Sequence, residues 1–218
     1  MARRINIRKE DERSETIILA SASPRRKEYL KLLGLPFVCV PSSLCENIDC
    51  GADPKAAAKE LAARKVRKAL ETLSKQPPPL PGEKALWVCG ADTLISLGGR
   101  IYGKARDRDE AGAMLRSFAG NTHEVVTALA LYNGRTKKTD CRSVTSSVTF
   151  AALTPAEIEW YLDSGEWQDA AGAYKIQGLA SCFISCIKGS YSSIVGLPLR
   201  EFYCMLRDNG YPYGGREF

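Results

Sequence analysis

Four groups of polar residues have types and spacing that could do chemistry. The first is Ser21-Ala22-Ser23-Pro24-Arg25-Arg26, between an apolar run and the start of a helix. Helix N-termini hold anions through N–H groups that lack intrahelical partners and through the positive end of the dipole. Arg25 and Arg26 add fixed charge and guanidinium forks that match phosphate oxygens. The bland alternative is a capped helix with two solvated arginines.

The second group is Gly90-Ala91-Asp92-Thr93. A carboxylate at the exit of an apolar strand sits where open α/β sheets put ligand groups. It could hold a divalent cation, orient water, or do both, or it could be an aspartate bonded to its own turn. The third is a lysine set, Lys65 and Lys104, suited to phosphate oxygens or simply solvated. The fourth runs from Gly165 to Gly178 and mixes glycine with Trp167, Tyr174 and Gln177. Such a loop can close over a flat ligand, or be an irregular connection with glycines at positive φ.

The elements that must position these groups follow from pattern. Thr16 to Ala20 reads as a buried strand. Ser23 with Pro24 reads as an N-cap and first helical residue, with Gly34 closing that helix. Leu35 to Pro41 is a second strand, and Asp53 or Pro54 opens a long basic helix to about Ser74. The proline run from Gln76 to Gly82 is a loop, because proline lacks the N–H donor and fixes φ. Leu86 to Gly90 is a buried strand ending at Ala91-Asp92-Thr93. Asp107 to Phe118 is a helix, and His123 to Tyr132 pairs with Ser143 to Phe150. Thr154-Pro155-Ala156-Glu157 is a capping-box start for a helix ending near Gly165. Phe183 to Ile187 is a last strand, and Leu199 to Asn209 a helix stopped by Gly210. The remainder, Tyr211 to Phe218, is expected to be loose. Alternating strands and helices argue an α/β fold.

Composition removes several classes. The chain has 218 residues, with 31 Lys+Arg against 25 Asp+Glu and 44% hydrophobic residues, ordinary values for a globular protein able to bury one core. No apolar run reaches the roughly 20 residues that cross a bilayer. Residues 1–15 carry mixed charge without an apolar core, unlike a secretory signal. A cytoplasmic protein is expected, with no membrane partner. The eight cysteines form no C-x-x-C pair, and several lie in apolar runs, so reduced structural thiols are expected. With His123 the only histidine, a His-rich zinc site is excluded, and a Ser-His-Asp triad would need that residue.

Taken together, Ser21-Ala-Ser-Pro-Arg-Arg, Gly90-Ala-Asp-Thr, Gly103-Lys104, Gly120-Asn-Thr-His-Glu-Val, Ala171-Gly-Ala-Tyr-Lys-Ile-Gln-Gly and Tyr191-Ser-Ser-Ile-Val-Gly-Leu-Pro-Leu resemble the Maf-like proteins, in order and over about residues 16 to 209. That family comprises nucleoside triphosphate pyrophosphatases, also described as septum-formation inhibitors. The Ser-Pro-Arg-Arg and Gln-loop motifs resemble the branch acting on dTTP and UTP, with CTP and modified pyrimidine nucleotides as further candidates. The resemblance implies an elongated mixed sheet flanked by helices with a central cleft, Maf/ITPase-like, commonly a homodimer. It divides the chain into a polar extension (1–15), a pyrophosphatase domain (16–209, with a proline-rich insertion at 76–84) and a tail (210–218).

Carried over by motif, Asp92 matches the family's catalytic proton acceptor, with Lys104 and Glu46 as further catalytic groups. Ser23, Arg25, Arg26, Lys65, Thr93 and Gln177 match substrate-binding positions. Asp92 and Glu46 would hold a divalent cation, Mg²⁺ or Mn²⁺. Three departures stand out: Ala105 where the family often has proline, Ala170 where it often has lysine, and no aspartate just before Glu46. The implied reaction is cleavage between the α and β phosphates by a nucleotide diphosphatase. The rival is a non-catalytic nucleotide- or nucleic-acid-binding regulator of cell division, supported by the +6 charge and the basic helix. A basic face often serves only solubility, and no aromatic stacking set accompanies this one.

Overall fold

The computed structural model describes residues 14–42, 52–75 and 86–213. Glu46 and the proline-rich stretch lie outside the described residues, as do residues 1–13 and 214–218. Among the described residues a seven-stranded mixed sheet runs in the order β2 (Phe37–Cys39), β1 (Ile17–Leu19), β3 (Trp87–Leu97), β5 (Thr122–Asn133), β6 (Lys138–Phe150), β7 (Ile184–Lys188), with β4 (Arg100–Tyr102) paired to β3 off that path. Strand β1 lies parallel between β2 and β3. Its three side chains are fully buried, as expected of a parallel strand covered on both faces. Antiparallel pairing then joins β3 to β5, β5 to β6 and β6 to β7.

Helix α1 (Pro24–Leu32) follows β1 directly. Ser23 holds its N-cap position, yet its side chain makes no capping bond; its N–H instead donates to Ser21 Oγ at 3.2 Å. Helix α2 (Pro54–Lys75) is capped by Asp53, whose carboxylate accepts from the Ala56 N–H at 2.9 Å. Ala58, Leu61, Ala62, Val66, Ala69 and Leu73 form its buried stripe, at the spacing of one helical face. That stripe packs on Val88, Leu94, Val126 and Ala128 of the sheet. Helices α3 (Arg108–Phe118) and α4 (Pro155–Asp163) cover the far end, and α4 carries both halves of the expected capping box. Helix α5 (Tyr191–Val195) and helix α6 (Leu199–Asp208) close the opposite face, where Phe202 and Met205 meet Leu19, Cys89 and Leu129.

Several elements differ from the sequence-based expectation. Strand β3 does not end near Gly90 but runs to Leu97, so Asp92 lies mid-strand. Its partner β5 offers an unbroken ladder from Trp87↔Asn133 to Ser96↔Glu124, which carries the strand through its polar residues. Strand β2 is shorter than expected, and β4 (Arg100–Tyr102) and α5 were not anticipated. The chain beyond Gly210 is docked as far as Tyr213. Tyr211 is buried against Trp87 and donates to the Glu15 carbonyl, while the Tyr213 hydroxyl donates to Leu33. Glu15 itself is buried, accepting from Trp87 Nε1 and pairing with Arg135. Among the described residues no helix is long and apolar enough to cross a membrane.

Candidate active site

The edge of β3 that faces β1 has a gap. β1 pairs with Trp87–Cys89 and β4 with Ile95–Leu97, so Gly90 to Leu94 have no strand neighbour on that side. The chain leaving β1 turns into α1 instead of continuing along β3. A cavity of about 710 Å³ opens there. Ser23, Arg25, Arg26, Lys65, Asp92, Thr93, Lys104 and Gln177 all border it. Side chains alternate along a strand, so Asp92 and Thr93 reach the cavity from opposite faces of the sheet.

Asp92 points to the α2 face, where it pairs with Lys65 from the middle of the buried stripe. Asp92 is 3% and Lys65 8% exposed, so each buried charge helps to compensate the other. α2 can bring Lys65 this close because Gly90 lies under it. A Cβ at Gly90 would sit 2.6 Å from the Ala62 carbonyl oxygen and 3.0 Å from Val66 Cγ2.

Thr93 points the other way, toward Arg26. Arg26 is buried rather than solvated. Its Nε donates to the Gly196 carbonyl at 2.8 Å, its Nη1 to Ser21 Oγ at 3.1 Å and its Nη2 to Thr93 Oγ1 at 3.4 Å. Arg25 is half-buried beside it. Desolvation lowers its pKa, against the opposing fields of Asp169 and Glu28.

The third wall joins two loops. Gly172 N–H donates to the Gly103 carbonyl at 2.8 Å, and Lys104 bridges Ala171. Asp169, at the rim, lies 3.5 Å from Lys104 Nζ. Gly172 needs its glycine twice over: its φ is +65°, and a Cβ would meet Ile95 Cδ1 at 2.5 Å. Tyr174 anchors this loop through a 2.8 Å hydrogen bond between its hydroxyl and His123 Nε2. His123 sits among Phe118, Phe150 and Tyr174, where burial pushes its pKa down to about 4. Its Nε2 bonds to Tyr174, and among the described residues no hydrogen bond joins it to a serine, so it serves the structure of this wall. Beyond the anchor, Leu179 N–H donates to Glu166 at 2.9 Å, and Gln177 stands exposed at the cavity mouth.

Ala170 is buried and does not border the cavity. Its neighbours Asp169 and Ala171 do border it. Residues that sequence reasoning missed include Asp169 and the acceptors around Arg26. Gly196 lies 170 positions from Arg26, and no local pattern announces the contact.

Residues 16–209 match the family described as Maf-like protein. The chain belongs to that family. It is 39% identical over 198 residues to the dTTP/UTP pyrophosphatase of Anaeromyxobacter dehalogenans, covering 90% of this chain and 95% of the relative. Identity to the dTTP/UTP pyrophosphatase of Escherichia coli O157:H7 is 42% over 192 residues, covering 88% and 91%. An overlay on the Staphylococcus aureus Ham1 protein covers 63% of this chain and 72% of that one at 16% identity, with TM-score 0.38, too loose to bear on the site.

Proposed function

We propose that this Maf-like protein is a nucleoside triphosphate pyrophosphatase that hydrolyses dTTP and UTP to the nucleoside monophosphate and pyrophosphate. One observation carries the reading. A buried carboxylate, Asp92, shares one cavity with cations from three elements: Lys65, the Arg25–Arg26 pair and Lys104. The names of relatives 39% and 42% identical support the same substrates.

A triphosphate is a polyanion, and its cleavage depends on positioning and charge stabilisation. Arg25, Arg26 and Lys104 neutralise phosphate oxygens and hold the chain of phosphates in line. Asp92 accepts a proton from the attacking water, while Lys65 fixes the carboxylate and balances its charge. The water oxygen bonds to the α-phosphorus, the bond to the α–β bridging oxygen breaks, and pyrophosphate leaves. Gln177 pairs with the pyrimidine edge, and Ser23 and Thr93 border the bound nucleotide.

The donor set also bears on a metal. Among the described residues no three acidic, cysteine or histidine side chains gather as a metal site. Mg²⁺ commonly takes one or two protein carboxylates and fills its shell with phosphate oxygens and water. Asp92 fits an Mg²⁺ or Mn²⁺ ion that would arrive with the triphosphate, and Glu46, outside the described residues, is the second carboxylate that the family resemblance implies. Such an ion supplies further neutralisation of phosphate charge.

The deciding experiment is product analysis. The purified protein is incubated with Mg²⁺ or Mn²⁺ and each of dTTP, UTP, CTP, GTP and ATP. Pyrophosphate and monophosphate from dTTP and UTP are expected. Orthophosphate as the first product would instead make it a phosphatase, and binding without turnover would make it a nucleotide-binding regulator.

A further inference from the structure

Behind Thr93 lies a chain of hydroxyl groups sealed from solvent. Thr93 and Thr127 are directly opposed on β3 and β5, and their hydroxyl oxygens are 2.9 Å apart. Thr127 is fully buried and does not border the cavity. Its hydroxyl lies 2.7 Å from the Ser193 carbonyl on α5. A carbonyl can only accept, so Thr127 spends its single hydrogen there. The contact between the two threonines then has one direction: Thr93 donates and Thr127 accepts. With its own hydrogen turned inward, Thr93 offers the cavity lone pairs alone. It can accept from Arg26 Nη2, 3.4 Å away, and it cannot donate to a phosphate oxygen.

The far end of this chain is fixed. Ser193 Oγ is 2.8 Å from Ser146 Oγ on β6, and the Ser190 N–H donates to the same Ser146 oxygen at 3.0 Å. A Cβ at Gly189 would lie 2.7 Å from Ser146 Oγ, so the glycine lets this turn press against β6. The segment that ends α5 grips Arg26 a second time through the Gly196 carbonyl. Arg26 is thus tied to α5 directly and through Thr93 and Thr127.

We propose that Thr127 is a positioning residue for the nucleotide site: by committing its hydrogen to Ser193 it makes Thr93 an acceptor that aims the Arg26 guanidinium at phosphate. This rests on the nucleotide reading of the cavity. Without the Thr127 oxygen, the Thr93 hydroxyl has no inward acceptor and turns its hydrogen toward Arg26 or a phosphate. The guanidinium then loses one of its aiming contacts.

The test uses the full-length protein with Thr127→Val, Thr127→Ser, Thr93→Val and the double valine variant. The readouts are kcat/KM for dTTP and calorimetric affinity for inorganic tripolyphosphate. Thr127→Val should lower both by about tenfold, the scale of one hydrogen bond to a charged group. Thr127→Ser keeps the donor and should stay within about twofold, and Thr127→Val should add under about twofold in the Thr93→Val background. Equal losses for the serine and valine variants, additive losses in the double variant, or an unchanged Thr127→Val would each overturn the proposal. Should Thr127→Val fail to fold, Thr93→Val leaves the Thr127–Ser193 bond in place and must itself weaken tripolyphosphate binding; wild-type affinity there overturns it. A wild type that binds tripolyphosphate but releases no pyrophosphate from dTTP overturns the assigned reaction, while the affinities still decide the chain.

Discussion

Lys65 and Asp92 face each other across the seam between α2 and β3, with side chains only 10% and 5% exposed. A lysine in the buried stripe of a helix is costly unless an anion meets it, so α2 is tied to this point of the sheet by charge as well as by packing. Asp92→Asn keeps the size of the side chain and removes the charge. It should nearly abolish pyrophosphate release and, by taking the Asp92 counter-charge from buried Lys65, lower the urea midpoint as well, while circular dichroism below the transition keeps the wild-type shape; full activity would remove Asp92 from the reaction. Lys65→Met strips a buried carboxylate of the lysine counter-charge. It should lower stability by about 3–5 kcal/mol, read from urea midpoints.

Gly90→Ala tests the seam sterically. The new methyl would lie 2.6 Å from the Ala62 carbonyl, a backbone atom that cannot swing aside. α2 must lift, and overpacking of this kind costs about 1–3 kcal/mol. Because Lys65 rides on the same turn, kcat should fall together with the denaturation midpoint. A variant as stable as wild type with a lowered kcat would mean that the helix shifts without strain.

The local architecture was legible where neighbours in sequence are neighbours in space. The extent of α2, its start at Asp53 or Pro54, the Thr154 capping box and the β5–β6 pairing all follow from short-range pattern. The length of β3 did not, because Asp92 and Thr93 look like a strand's exit until β5 is known to run beside them. A solvated Arg26 stayed open as the alternative for a similar reason: its acceptors come from Ser21, Thr93 and Gly196, and only the first is local. Motif resemblance named residues that, Glu46 aside, border one cavity, and the tertiary structure supplied the burial that decides what each can do.

The buried imidazole of His123 gives a pH signature. Its pKa falls from 6.5 to about 4 on folding, so the unfolded chain takes up a proton that the folded protein refuses. Stability should therefore be unaffected by this group above about pH 6.5 and decline as pH falls toward about 4, by about 3 kcal/mol in all. Its neighbour Tyr174 cannot compensate, since burial pushes its hydroxyl above the ordinary phenol range and it stays neutral. In His123→Gln that part of the slope should vanish from urea midpoints measured between pH 7 and 4. An unchanged slope would assign the acid sensitivity to other groups.

Gln177 carries the prediction about base choice. It stands at the cavity mouth, held by a loop whose next two residues are pinned: a Cβ at Gly178 would run into the Glu166 carboxylate, and Leu179 N–H donates to that carboxylate. Uracil and thymine present an N3–H donor between two carbonyl acceptors. A primary amide can meet one donor and one acceptor of that edge at once. Losing the two hydrogen bonds of such a pair, each worth about 0.5–1.5 kcal/mol, costs about 1–3 kcal/mol. Gln177→Ala should therefore lower kcat/KM for dTTP and UTP by about five- to a hundredfold while leaving GTP and ATP near their wild-type values. Glu159, exposed on α4 and bridged to Arg108 at 2.7 Å, serves as the control: Glu159→Gln should leave the preference intact. A Gln177→Ala variant that lowers all four nucleotides equally would make the residue a general support of the site and not a reader of the base.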